Sequence, residues 1–173
     1  MGMARSGASG GAGNARAAAC GPRACARRIA WPWLLATIAM VCLIWGNSLV
    51  PGEGSSGISL AVMHAIRDAL SLAGIPSGWV TNFLVRKCAH FTEYAVLGAL
   101  ASQALGPWLA RDRRAYLALA LFLVAVPSID ETIQLSVAGR AGQVPDVILD
   151  CCGAATGSFL RWAAARRAAS RPR

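Results

Sequence analysis

Hydrophobic residues along the chain form four long runs, and polar residues interrupt three of them near one end. A helix needs about 20 mostly apolar residues to cross the hydrocarbon core of a membrane. Four segments meet this requirement: 31–50, 83–105, 115–135 and 145–163. The pattern therefore predicts an all-α fold, an integral membrane bundle of four transmembrane helices.

Between the first two spans, a shorter stretch has a different pattern. Proline, glycine and serine dominate 51–57 and predict a break and an external loop. From Ile58 to Ala73, apolar residues then recur at helical spacing with polar residues largely opposite. This predicts a short amphipathic helix at the outer membrane interface, ended by Gly74 and Pro76.

The two ends of the chain differ from this central part. Residues 1–28 are mostly glycine, alanine and arginine, with almost no large apolar side chain that could form a core. We therefore predict a disordered basic cytoplasmic tail over 1–28, a four-helix membrane domain over 29–165, and a second basic cytoplasmic tail over 166–173.

Composition and charge agree with a membrane location. Of the 173 residues, 55% are hydrophobic and 14% are charged, which is too apolar for an ordinary soluble domain. Arginine and lysine are retained in the cytoplasm during insertion, and the basic residues concentrate before the first span, between the second and third, and after the fourth. Both termini are therefore predicted to be cytoplasmic. Because the arginines flank hydrophobic spans, contact with membrane lipid is expected and nucleic acid is not.

Two sequence features concern helix packing. Gly153 and Gly157 form a GxxxG pair in the fourth span, which permits a close approach of two helices. Pro127 removes a backbone hydrogen bond from the third span and is expected to kink it. The six cysteines show no zinc-ribbon or redox spacing, so packing as small hydrophobic residues is their default role.

Eleven polar residues form the candidate site. On helices that turn about 100° per residue, each span presents its polar residues on one face, and the chain direction places the three faces at the same membrane depth. Ionisable groups inside a membrane usually serve a function. The residues are Arg86, Lys87, His90, Glu93 and Tyr94 in the second span, Asp130, Glu131 and Gln134 in the third, Arg140 in the outer loop, and Asp146 and Asp150 in the fourth.

The residue types suggest roles for these side chains. Arginine and lysine bind phosphate or carboxylate oxygens, so a ligand-binding set comprises Arg86, Lys87, Tyr94, Gln134 and Arg140. Acidic side chains bind divalent cations, so a possible metal set comprises Asp130, Glu131, Asp146 and Asp150. Any catalysis would use His90 or Glu93 as the general base.

The polar windows resemble those of the VanZ-like family, small bacterial membrane proteins named for a teicoplanin-resistance protein. The resemblance rests on the run 86–94 with Leu97-Gly98, on Asp130-Glu131 with Gln134, on Gly139-Arg140, and on Asp146 with Gly153. The family often has asparagine where this chain has Asp150. The resemblance implies a multi-span protein of the bacterial cytoplasmic membrane and does not assign individual roles to these residues.

Three functions remain open at this point. The first is an envelope protein that binds an anionic or amphipathic ligand from the outer leaflet, such as a lipid-linked cell-wall precursor or a glycopeptide, with a role in antibiotic resistance or envelope maintenance. The second is an intramembrane, metal-assisted hydrolase or transferase that acts on a lipid headgroup. The third is a scaffold in which ion pairs merely hold the helices together.

Overall fold

The computed structural model describes residues 30–110 and 112–170, and every regular element in these residues is a helix. The helices are α1 (Trp31–Ser48), α2 (Gly52–Leu72), α3 (Asn82–Ala104), α4 (Gly106–Leu109), α5 (Arg113–Leu135) and α6 (Val144–Ala169). The all-α class is thereby confirmed. The tail predicted over 1–28 lies outside the described residues, and α6 continues past residue 165, where we placed the end of the membrane domain.

Two of the described helices, α1 and α5, are long and apolar enough to cross a membrane. Few residues of α1 are buried against the rest of the protein, so most of its apolar surface is available to lipid. Helices α3 and α6 have the necessary length, 23 and 26 residues, but they carry the charged residues of the candidate site. Length and composition therefore make α1 and α5 candidate membrane spans, and the prediction of four transmembrane helices is not confirmed.

Helix α2 is the predicted amphipathic helix, but it begins six residues earlier than expected. The glycine-rich stretch predicted as a loop forms its first turns, because the Gly52 amide donates to the carbonyl of Ala138 at 3.1 Å and anchors the helix start. A side chain at Gly52 would overlap the backbone of Gly139. Tertiary contact with the loop between α5 and α6 has thus overridden the helix-breaking tendency of this segment.

The end of α2 agrees with the prediction. Gly74 has a φ of 71°, in the left-handed region, and the amides of Gly74 and Ile75 donate to the carbonyls of Ser71 and Leu70 at 3.0 and 2.9 Å. This is the Schellman arrangement that commonly ends a helix. The chain then returns toward α3, and the Arg67 guanidinium binds the Val80 carbonyl at 2.8 Å.

The centre of the molecule is the close, parallel pair formed by α3 and α6. Side-chain atoms added at Gly98, Gly153 and Gly157 would meet the backbones of Ala154, Phe91 and Ala95, respectively. The two helices are therefore in backbone contact, as the GxxxG pair predicted. Apolar side chains of α1, α3, α5 and α6 surround this contact and form the core, including Ile44, Tyr94, Leu97, Ala101, Leu123, Val126 and Ala154.

Pro127 lies inside α5, which continues as one helix from Arg113 to Leu135. Proline has no amide hydrogen, so the carbonyl of Leu123, four residues earlier, loses its usual donor. The Cys151 thiol of α6 donates to this carbonyl, with the sulfur 3.7 Å from the oxygen. Cys151 thus satisfies a backbone group in addition to packing as a small hydrophobic residue.

We expect Gly157→Ala to destabilise the protein, because its new methyl group would overlap the Ala95 carbonyl in the contact between α3 and α6. Overpacking of this kind costs about 1–3 kcal/mol. Thermal unfolding of the protein in detergent measures the effect. Gly46→Ala is the control, since no heavy atom lies within 4 Å of a methyl group there. An equal melting temperature for Gly157→Ala and the wild-type protein would contradict the backbone contact.

Candidate functional site

The structure brings the predicted polar residues together at one end of the helical bundle, in two layers. The outer layer lines a cavity of about 310 Å³, which we call the cation pocket. Its polar lining includes Arg86, Lys87, His90, Gln134, Arg140 and Asp146. The inner layer, which we call the carboxylate cluster, consists of His90, Asp130, Glu131 and Asp150. His90 belongs to both layers and connects them.

An ion pair between Lys87 and Asp146 joins the second turn of α3 to the first turn of α6 in the outer layer. Their side chains are 24% and 20% exposed, so water only partly screens the pair. The Lys87 ammonium also lies 5.1 Å from the centre of the Phe83 ring. Asp146 stands in the first turn of α6, where the helix dipole favours a negative charge. Lys87 and Asp146 therefore compensate each other's charge.

Arg140, in the loop between α5 and α6, connects this loop to the end of α1. Its Nε donates to the Val50 carbonyl at 3.1 Å and its Nη2 to the Asn47 carbonyl at 2.9 Å. Carbonyls at the C-terminal end of a helix lack intrahelical donors, and a guanidinium satisfies them. Burial lowers the pKa of Arg140 from its ordinary value and neighbouring Arg86 lowers it further, while nearby acidic residues raise it.

Arg86 differs from Lys87, which has a counter-ion, and from Arg140, which binds backbone carbonyls, because it has neither kind of partner among the described residues. The ion pairs found in the described parts of the chain are Lys87 with Asp146 and His90 with Asp150. Arg86 is half-buried and lines the cation pocket. It also lines a second cavity of about 200 Å³, together with Arg140, His90 and Glu93. Two guanidinium groups thus share both cavities.

Gln134 and Glu131 organise the carboxylate cluster on α5. The Gln134 amide nitrogen lies 3.3 Å from Asp130 Oδ2 and 3.4 Å from Glu131 Oε1. Glu131 Oε2 accepts a hydrogen bond of 2.8 Å from the Gln143 amide, at the start of α6. The Asp130 and Asp150 side chains are fully buried, and Glu131 is 5% exposed. Helices α5 and α6 therefore bring three carboxyl groups into a largely dry space.

His90 and Tyr94 approach these carboxyl groups from α3. His90 Nδ1 lies 3.7 Å from Asp150 Oδ2, which is too long for a normal hydrogen bond. The Tyr94 hydroxyl is fully buried beside Asp130 and makes no hydrogen bond of normal geometry. Glu93 faces the 200 Å³ cavity and is outside the cluster. The two candidate bases, His90 and Glu93, thus have different surroundings.

The structure regroups the residues proposed for a metal. Asp130, Glu131 and Asp150 lie together, but Asp146 pairs with Lys87, and His90 lies beside the other carboxylates instead.

The sequence analysis missed two residues of the site, Ser48 and Asn47 at the end of α1. Ser48 is buried and contacts the Gln134 amide at 3.3 Å, and the Asn47 carbonyl binds Arg140. The sequence does contain a sign of their role, because Asn47 and Ser48 are adjacent polar residues at the end of the first hydrophobic segment, which has no charged residue.

The protein is thus all-helical in its described residues, and the ionisable groups of the candidate site lie at one end of the helical bundle. A family model described as VanZ-LLP1 (VanZ/LLP1) matches residues 33–165. The chain therefore belongs to the VanZ/LLP1 family, which confirms the resemblance found in its polar windows. A search of curated proteins and a search of solved structures gave no match.

We expect Lys87→Met and Asp146→Asn to destabilise the protein separately, and their double variant to lose less than the sum. Each single change leaves the partner charge partly buried and uncompensated. The coupling free energy should be about 1 kcal/mol or more, measured by unfolding the four proteins of the cycle in detergent. Lys87→Met combined with Asp112→Asn, at the start of α5, is the additive control. Additivity in both cycles would show that the ion pair contributes nothing.

Proposed function

We propose that this VanZ/LLP1 protein is a multi-span protein of the bacterial cytoplasmic membrane that binds an anionic, amphipathic ligand at its extracytoplasmic side. Ligands with the required chemistry are lipid-linked cell-wall precursors and lipoglycopeptides. The observation that carries the proposal is the pair of guanidinium groups, Arg86 and Arg140, that line the same two cavities. A bound phosphate or carboxylate would supply the counter-charge that Arg86 lacks among the described side chains.

The surroundings of Arg86 and Arg140 favour binding of an anion next to these two side chains. Like charges repel, and the proximity of Arg86 lowers the pKa of Arg140. Asp146 is paired with Lys87, and Asp130 and Glu131 lie in the buried layer beneath. Arginine also suits oxyanions, since its planar fork binds two oxygens at once.

An apolar groove beside the cavities supports an amphipathic ligand. The groove has a volume of about 480 Å³ between α2 and α3, and its lining includes the exposed Trp79. It shares Val62, Val85, Ala89 and Glu93 with the 200 Å³ cavity. A ligand with a charged headgroup and a hydrocarbon chain could therefore occupy both at once, with the chain next to the surrounding lipid.

A four-span arrangement with both termini in the cytoplasm fits these features. Helices of 23 and 26 residues are about 34 and 39 Å long, enough to cross a hydrocarbon core of about 30 Å. The charged residues of α3 and α6 that belong to the site lie in the N-terminal halves of these helices, and more apolar parts follow. The loop between α5 and α6 would then be extracytoplasmic, and Arg113, Arg114, Arg166 and Arg167 cytoplasmic.

Reporter fusions test this topology. We expect alkaline phosphatase inserted in the loop 136–143 to be active, because the enzyme needs an oxidising compartment for its disulfides. Green fluorescent protein fused after residue 173 should fluoresce, as it does in the cytoplasm. In the reciprocal pair of fusions, phosphatase at the C-terminus should be inactive and green fluorescent protein in the loop should not fluoresce. Phosphatase activity at the C-terminus would overturn the arrangement.

Arg86→Gln tests the proposed ligand site. We expect it to weaken binding of a polyprenyl diphosphate or of teicoplanin about ten- to a hundredfold, because a hydrogen bond to a charged group contributes about 1.5–3 kcal/mol. Purified protein in detergent and native mass spectrometry or thermophoresis would measure the affinities. Arg114→Gln, an exposed arginine at the opposite end of α5, is the matched control and should bind like the wild type.

The same experiment separates binding from a scaffold role. A scaffold predicts that Arg86→Gln lowers stability and that affinity falls only as the protein unfolds. The binding proposal predicts a melting temperature close to that of the wild type together with lost affinity, since Arg86 holds no described partner. Unchanged affinity for both ligands in Arg86→Gln, with Arg114→Gln also unchanged, would refute the proposal.

A further inference from the structure

The carboxylate cluster has the composition and spacing of a metal site. His90, Asp130, Glu131 and Asp150 each bring one nitrogen or oxygen atom to within 4.8 Å of the other three. Opposite ligands of a six-coordinate ion with bonds of about 2.1 Å are about 4.2 Å apart. The separations in the cluster therefore exceed this span by at most about 0.6 Å.

Unsatisfied buried atoms point into this space. Both oxygens of Asp150, Oδ1 of Asp130 and Nδ1 of His90 have no hydrogen-bond partner in the described structure, and neither has the fully buried Tyr94 hydroxyl beside them. Native proteins satisfy nearly all buried polar atoms, so such a concentration needs an explanation. A cation would satisfy the carboxylate oxygens and the imidazole nitrogen together.

Charge leads to the same conclusion. Three carboxyl groups of residues that are at most 5% exposed lie close together. Lys87 is already paired with Asp146, and Arg140, which interacts electrostatically with Asp130 and Glu131, is held by main-chain carbonyls at the end of α1. Buried carboxylates without a counter-charge are very costly in a low-dielectric environment. A divalent ion among them would supply the positive charge without any further side chain.

The 3.7 Å between His90 Nδ1 and Asp150 Oδ2 also fits an ion better than a direct bond. Two ligands bound tetrahedrally at about 2.0–2.1 Å are about 3.3 Å apart, whereas a hydrogen bond would bring the atoms to about 2.9 Å. His90 and Gln134 border the cation pocket, so the cluster has a route to the water-accessible end of the bundle.

We propose that His90, Asp130, Glu131 and Asp150 bind one divalent transition-metal ion, of which Mn²⁺ and Zn²⁺ are the representatives to test. One imidazole with three carboxylates favours such ions, since Ca²⁺ takes six to eight oxygen ligands and Mg²⁺ retains most of its water. The Tyr94 hydroxyl borders the ion, and Asp146 is not a ligand. The metal site does not depend on the ligand proposed above, because its atoms lie in the buried layer.

Direct metal binding tests this inference. Full-length protein in detergent is stripped with a chelator, and Mn²⁺ and Zn²⁺ are then titrated by calorimetry, with the bound metal counted by mass spectrometry after desalting. We expect one ion per chain, a raised melting temperature on binding, and weaker binding of Mg²⁺ and Ca²⁺. No lipid or glycopeptide is present, so the outcome is separate from that of the Arg86→Gln experiment.

Variants identify the ligands. Asp150→Asn and His90→Gln should each lower affinity by about tenfold or more, because each removes a ligand atom or its charge. Asp112→Asn, the same change at the opposite end of α5 from the cluster, is the matched control and should keep the stoichiometry of one with wild-type affinity. Circular dichroism checks folding, and His90→Gln, at a partly exposed position, decides the question if Asp150→Asn does not fold.

Three results would overturn the inference. The first is no saturable binding of Mn²⁺ or Zn²⁺ to the wild-type protein. The second is wild-type affinity in a folded Asp150→Asn or His90→Gln variant. The third is Mg²⁺ binding as tightly as Mn²⁺ and Zn²⁺, which would contradict the class of ion inferred from the imidazole.

Discussion

The backbone contact between α3 and α6 is the constraint on which the site depends. Glycines at 98, 153 and 157 allow the two helices to touch along their middle, and the contact sets their register. With this register, Lys87 lies opposite Asp146 and His90 lies opposite Asp150, one turn deeper. The outer ion pair and the inner carboxylate cluster are therefore both products of one helix interface, and α5 adds Asp130 and Glu131 from the side.

The sequence was sufficient to predict the all-α class, the end of α2 and the grouping of the polar residues. These features depend on local rules: helical spacing of apolar residues, a glycine followed by a proline, and chain direction across successive spans. It could not predict which partners meet. Asp146 and Asp150 share one face of α6, and only the position of α3 determines that Lys87 takes the first and His90 approaches the second. The early start of α2 was missed for a similar reason, because it depends on the contact of Gly52 with a loop 86 residues later in the chain.

The two layers of the site have different chemical characters. The outer layer contains the cations, is open to a cavity and includes an ion pair at the junction of α3 and α6. The inner layer contains acidic groups, is almost inaccessible to water and retains unsatisfied atoms. Under the two proposals, an anion would bind in the outer layer and a cation in the inner layer. His90 belongs to both layers, so a movement of its imidazole ring would alter the cation pocket and the carboxylate cluster together.

The attachment of Arg140 to the end of α1 has a consequence for recognition. A flexible arginine loses rotamer freedom when it grips an anion, at a cost of about 0.5–1.5 kcal/mol for an immobilised long side chain. Here Nε and Nη2 already hold the main chain at Val50 and Asn47, so folding itself has frozen the side chain. The guanidinium is therefore already ordered before the proposed ligand binds, and its remaining N–H groups have a fixed orientation.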